Sequence, residues 1–168
     1  MTRKRCFDPV VDGRTRLLVL GSLPGEKSLQ LQQYYANPQN RFWMLMSAVI
    51  GEPLLTLDYA ARLQALLRQG VGLWDVVAQA HRHGSLDSSI RDRDDNDLSG
   101  LLARFPAIHT LAFNGGTAAK LGARVLGDHA GRYRLINLPS SSPAYTRSYA
   151  EKLERWAVLR EALPGRSC

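Results

Sequence analysis

Four short apolar runs, each stopped abruptly by turn-forming residues, constrain this chain's fold more than anything else in it. They are "RLLVLG" ending at Gly21, "VGLWDVV" from Val71, "TLAFNGG" ending at Gly116 and "YRLINLPSSSP" from Tyr133. Near-continuous apolar runs of this length read as strands covered on both faces. Between them lie segments with helical spacing: "RFWMLMSAVIG", "LDYAARLQALLRQG" with Leu63, Leu66 and Leu67 on one face, "LSGLLARFP" and "TAAKLGARVL". A terminal amphipathic run, "RSYAEKLERWAVLREAL", follows the last strand. Strand alternating with helix predicts an open parallel sheet, joined by right-handed crossovers, with helices on both faces. In such sheets the ligand lies beyond the carboxyl ends of the strands. Here those ends carry "GSLPG", "WDV", "FNGG" and "LPSSSPAY", so residues far apart in sequence are expected to share one cleft. The polar stretch "HRHGSLDSSIRDRDDNDLSG" reads as a long exposed connection, with a helix starting near Asp97.

A chain of 168 residues suffices for one domain with a real core, so 1–168 is read as a single domain whose core spans about 16–163. No stretch has the length of a membrane-spanning helix, so no membrane partner is expected. The N-terminal "MTRKRCFDPV" is basic but has no apolar run behind it, which argues against a secretory signal and for a cytoplasmic protein. Cys6 and Cys168 are too few for a cysteine-rich metal site, and a disulfide between them is not expected in a reducing compartment. The net charge of +7 and a pI near 9.8 draw the chain toward a polyanion.

The first strand end continues into "GSLPGEKSLQLQQYYANPQNRFW", residues 21 to 43. Together with "FNGG" and "LPSSSPAYT", this motif resembles the uracil-DNA glycosylase superfamily, and within it the hypoxanthine-DNA (deoxyinosine) glycosylase branch. The resemblance runs from about Arg16 to the terminal helix. It implies a three-layer α/β/α sandwich around a four-stranded parallel sheet. The activity implied is that of a monofunctional enzyme, acting as a monomer without cofactor or metal, on DNA that contains a deaminated base. Uracil removal by the same fold, or lesion binding without chemistry, are the alternatives.

Each piece also has a physical reading. A damaged base must leave the stack before its glycosidic bond can be reached, so the site must hold a flat, polar-edged ring. Tyr35 is expected to stack on that ring, with Tyr34 as either a helper or a packing residue, and Leu23 and Phe42 complete the base-binding set. Gly21 and Gly25 permit close backbone approach, and the turn after them is expected to aim free N–H groups at the cleft. Asn40, in "NxFW", is the chief catalytic candidate, orienting water at the sugar carbon; capping the following helix is its ordinary alternative. Asn114 is expected to read the base edge if its neighbours lock its amide. Ser140, Ser141 and Ser142 suit phosphate contact, Pro143 or Tyr145 suits wedging into the duplex, and Arg147 adds charge.

One departure concerns Ser22. The mismatch-specific uracil enzymes carry asparagine there and other branches aspartate, and a serine without a partnered base is a poor activator of water. Ser22 is therefore second to Asn40 in the catalytic set. Lys27 belongs to the outer edge of the motif, so no lyase nucleophile is expected. His81 and His83 lack partners at metal-binding spacing, and Asp75 and Asp87 are left as orienting or structural groups. A serine hydrolase built on Ser22, Ser140 and His81 stays open as another class, though no GxSxG elbow is present.

Overall fold

The apolar runs become strands in the expected places. In the computed structural model, which describes residues 3–164, the chain opens with a short strand, β1 (Arg3–Arg5), and then enters β2 (Leu17–Gly21). β2 pairs in parallel with β3 (Val71–Asp75) on one side and with β6 (Thr110–Asn114) on the other. β7 (Arg134–Leu138) extends the sheet beyond β6, again in parallel, giving the order β3-β2-β6-β7.

Successive side chains of a strand point to opposite faces, and β2 buries both. Leu17 and Val19 join the core formed with α2 (Phe42–Ile50), α3 (Tyr59–Arg68) and α6 (Tyr149–Trp156). Leu18 and Leu20 join the opposite core, with α4 (Leu98–Arg104) and α5 (Gly116–Leu126). All four side chains are fully buried. Hence the fold is the expected three-layer α/β/α sandwich. Asp58, Asp97 and Ser148 each start a helix by accepting a backbone N–H three residues on.

The chain leaves β2 toward β3 at one edge and later crosses to β6 on the other flank. The strand order therefore reverses between β2 and β6, where a crevice opens at the carboxyl ends. Gly21 and Asn114 are the last residues of these neighbouring strands.

The polar stretch after residue 81 is not the uniform exposed connection predicted. β4 (Val77–His81) continues almost directly from β3, and β5 (Arg91–Asp95) returns along it, with β1 on its far edge, as a separate antiparallel sheet. Every residue of β5 is exposed, so it carries no apolar alternation by which a strand is recognised. Polar links hold it instead: Arg3 to Asp94 at 2.7 Å and Gln79 Nε2 to Asp94 at 2.7 Å. The terminal amphipathic run also differs, because α6 tightens into a 3-10 helix over Ala157–Ala162.

α5 approaches β6 so closely that a Cβ placed on Gly122 would stand 2.2 Å from Cε1 of buried Phe113. Alanine normally gains about 1 kcal/mol over glycine inside a helix. Here overpacking outweighs that gain, and Gly122→Ala is expected to lower unfolding free energy by about 1–3 kcal/mol. Urea denaturation reads the change, and a stabilised variant would show that the ring can yield.

Candidate active site

A cleft of about 400 Å³ opens at the strand ends, within the range of small-ligand pockets. Four segments line it: the Gly21–Ser28 turn, the Tyr35–Asn40 loop, the Asn114–Thr117 corner and the Ser140–Tyr145 loop. A fifth, unforeseen wall comes from Ser85, Leu86 and Asp87, which lie between β4 and β5.

The "QQYYANPQNRFW" segment is built to hold Tyr35. Ser28 Oγ accepts the Ala36 N–H at 3.0 Å, Tyr59 Oη accepts the Tyr34 N–H at 2.9 Å, and Trp43 Nε1 donates to the Tyr34 carbonyl at 3.2 Å. Tyr35 itself has φ of 55°, a left-handed conformation that a bulky side chain adopts only when its surroundings enforce it. Phe42 is that enforcement. Its ring stacks on Tyr35 at 3.9 Å between centroids, with 15° between planes. Phe42 is fully buried and absent from the cleft wall, so the expectation that it contacts the base is corrected. With one face on Phe42, the Tyr35 ring has the other left for the cleft. Tyr34 touches the cleft but belongs mainly to the core, packed edge-on to Phe7 and donating to the Asp8 carbonyl at 3.0 Å.

Asn40 stands one residue before Arg41, the N-cap of α2, and its side chain engages the first N–H of the helix. Its Oδ1 accepts the Phe42 N–H at 2.9 Å, which fixes the amide orientation and leaves Nδ2 as the donor on a cleft-lining side chain. Asn114 is fixed more firmly still. Its Oδ1 accepts the Ser141 N–H and its Nδ2 donates to Ser141 Oγ, both at 2.9 Å. The lock that selective reading of a base edge requires is thus present, and one lone pair and one N–H of the amide are left over.

Gly21 sits where any side chain would collide: a Cβ there would stand 2.6 Å from Asp75 Oδ1 and 3.0 Å from Tyr35 Oη. These two groups are the site's orphans. Asp75 Oδ2 and Tyr35 Oη are both buried without a hydrogen-bond partner. Burial, reinforced by the charge of Asp87, pushes the Asp75 carboxyl up to about 7. Burial and Asp75 push the Tyr35 phenol up as well. Unsatisfied buried polar groups in a cleft are where a ligand's own polar atoms are expected.

The reading of Ser22 as lacking a partnered base is also corrected. Ser22 Oγ donates to Asp87 Oδ1 at 2.7 Å, across 65 residues of chain. Arg82, whose guanidinium is entirely buried, explains how the loop is held there. It donates to the carbonyls of Leu23, Pro24 and Gly84 and lies 3.7 Å from Asp87. Sequence reasoning missed Arg82 because it stands between two histidines in a stretch that looks uniformly solvated. Ser85 Oγ accepts the Glu26 N–H at 3.0 Å, so the first donor of α1 (Glu26–Leu31) is engaged rather than free in the cleft.

Leu23, Gly25, Ser140, Ser142, Pro143 and Tyr145 all line the cleft as expected. Arg147 does not. It is exposed and paired with Glu151 at 3.0 Å, one helical turn on, and so sits outside the wall. Beneath the serine loop lies another residue missed from sequence, Lys152, almost wholly buried with Nζ on the Ser142 carbonyl at 3.0 Å. His81 faces Asp92 on the second sheet, away from the cleft. Cys6 is a free thiol, and Cys168 lies outside the described residues.

The family model "Uracil DNA glycosylase superfamily" matches residues 9–163. The chain belongs to the uracil DNA glycosylase superfamily. Among its relatives, a hypoxanthine DNA glycosylase of Methanosarcina acetivorans is 41% identical over 158 residues, covering 94% of this chain and 98% of that one. A hypoxanthine DNA glycosylase of Methanosarcina barkeri is 39% identical, covering 92% and 96%. A solution NMR structure of a candidate uracil DNA glycosylase from M. acetivorans superimposes with a TM-score of 0.84 at 39% identity, covering 95% and 97%. No described helix is long and apolar enough to cross a membrane.

Proposed function

We propose that this protein is a monofunctional DNA glycosylase that hydrolyses the N-glycosidic bond of deaminated bases, foremost hypoxanthine, and leaves an abasic site. The single observation that carries this reading is the meeting of Tyr35, Asn40 and Asn114 in one cleft, each held by its own set of contacts. The names of the relatives at about 40% identity support the same substrate class.

In this reading the extruded base lies against the free face of Tyr35. Hypoxanthine presents a ring N–H beside a carbonyl, which the remaining lone pair and N–H of Asn114 complement; adenine presents the reverse. Asn40 Nδ2 directs a water molecule at the sugar carbon. As the carbon–nitrogen bond lengthens, positive charge grows on the sugar and negative charge on the base. Positioned dipoles lower the energy of that charge separation without a metal or a covalent intermediate. Ser140, Ser142 and Tyr145 form the rim that meets the DNA backbone, aided by the net charge of +7.

The test uses purified protein with duplexes carrying one deoxyinosine or one deoxyuridine, followed by alkaline scission at abasic sites. Cleavage at deoxyinosine is expected. Product from neither substrate would end the reading, and product from deoxyuridine alone would overturn the choice of base.

A further inference from the structure

Resting on that reading, we propose that Asp87 is the proton acceptor behind Ser22, so that a serine–aspartate relay draws the proton from the water that Asn40 orients. Ser22 directly follows β2 at the mouth of the cleft. The relay brings a carboxylate to that corner from a distant part of the chain.

The geometry allows Ser22 one role. Its single hydroxyl hydrogen is donated to Asp87 Oδ1 at 2.7 Å. Only lone pairs remain on Oγ, and Ser22 lines the cleft, so toward a water there it can act only as acceptor. Asp87 in turn is held rather than free. It opens a 3-10 turn, Asp87–Ser89, in a loop tied down by Arg82, by Ser85 on the Glu26 N–H, and by Lys4 Nζ on the Gly84 carbonyl at 2.5 Å. Those ties position the loop without Ser22, so the Ser22 contact is not needed merely to hold it.

Charged and titratable neighbours come from every side. Asp75 faces Asp87 from β3, Arg82 from the end of β4, and Glu26 and Lys27 share the cleft wall from α1. Burial raises Asp87 above the usual carboxylate range, while the Ser22 hydrogen bond and the Arg82 guanidinium pull it back toward ionisation. Asp75 Oδ2 has no hydrogen-bond partner, whereas the Asp87 carboxylate has the Ser22 hydroxyl at 2.7 Å and the Arg82 guanidinium at 3.7 Å. Asp87 is therefore the carboxylate whose hydrogen bond and cation place it to receive a proton.

In the step itself, the water oxygen bonds to the sugar C1′ as the C1′–N bond breaks and its electron pair leaves with the base. The water proton passes to Ser22 Oγ while the Ser22 proton passes to Asp87. Asp87 then releases a proton to solvent, and the departing base takes one up, so one water is divided between sugar and base. Asp87 acts in this step through Ser22, so its role must be read from the pH profile as well as from rate.

The experiment is single-turnover cleavage of a deoxyinosine duplex from pH 5 to 9 by the wild type, Ser22→Ala, Asp87→Asn, Asp87→Glu and the Ser22→Ala/Asp87→Asn double variant. The wild-type rate is expected to rise with pH through the ionisation of Asp87. Ser22→Ala and Asp87→Asn are each expected to slow the reaction by about 10²-fold at neutral pH and to lose that acidic limb. The double variant is expected to be no slower than the worse single one, and Asp87→Glu to keep an acidic limb. A wild-type rate for Ser22→Ala, an unchanged limb in Asp87→Asn, or losses that multiply in the double variant would overturn the relay. Should Asp87→Asn fail to fold, Ser22→Ala decides the matter alone, because it leaves every other tie of the loop intact. Absence of cleavage by the wild type would instead sink the glycosylase reading, so the two failures are distinct.

Discussion

Asn40→Ala is expected to slow the single-turnover release of hypoxanthine from duplex DNA by about 10²–10³-fold, the usual cost of losing one preorganised polar group at a developing charge. The difficulty with this variant is that Asn40 also starts α2 by accepting the Phe42 N–H. Removing a cap costs about 1 kcal/mol of stability, and the loss could loosen the Phe42 ring beneath Tyr35. Asn40→Ser separates the two effects. Serine caps helices about as well as asparagine but has no amide to aim at water. Asn40→Ser is therefore expected to melt near the wild type and to be as slow as Asn40→Ala. If Asn40→Ser cleaves at the wild-type rate, the amide is not part of the chemistry and capping is the residue's whole job.

The second large effect concerns stability and its direction with pH. Asp75 is 3% exposed, its Oδ2 has no partner, and it is pushed from the ordinary 3.8 up to about 7. Between those pH values the folded protein holds a proton that the unfolded chain has released. The contribution of Asp75 to stability is then full below about pH 4, falls as pH rises, and levels off once Asp75 has ionised above about 7. At 1.36 kcal/mol for each pH unit in between, the upper bound on the loss is about 4 kcal/mol. Asp75→Asn fixes the neutral state. At pH 8 it is expected to melt about 5–10 °C above the wild type, and near pH 4 the two should converge. A constant difference across pH, or a less stable variant at pH 8, would mean that Asp75 ionises in the folded state as an ordinary carboxylate. A chain that keeps such an acid in its binding cleft gives up stability there, which is the pattern of a group retained for function.

What could be read in advance follows from which residues announce themselves. Leu17 to Leu20 are buried on both faces, so their sequence is an unbroken apolar run and the strand is unmistakable. Tyr35, Asn40 and Asn114 were legible because their motifs sit at strand ends and helix starts, where the topology sends them to a common place. Phe42 was misjudged, since sequence cannot distinguish a ring that faces the cleft from one stacked beneath it. β5 was missed because its stabilising links are between polar and charged side chains and its partner strand precedes it by a nine-residue loop. Asp87 and Arg82 were underrated for the same reason: their importance comes from contacts with Ser22, Leu23 and Pro24, some sixty residues earlier, and nothing local records that.

Ser141 joins three parts of the cleft at once. Its N–H and hydroxyl hold both ends of the Asn114 amide, and its carbonyl accepts the Arg41 N–H at 3.0 Å, immediately beside Asn40. The Ser140–Tyr145 loop is thereby tied to both asparagines. Any displacement of that loop would therefore be carried to the Asn114 amide and to the backbone beside Asn40 together.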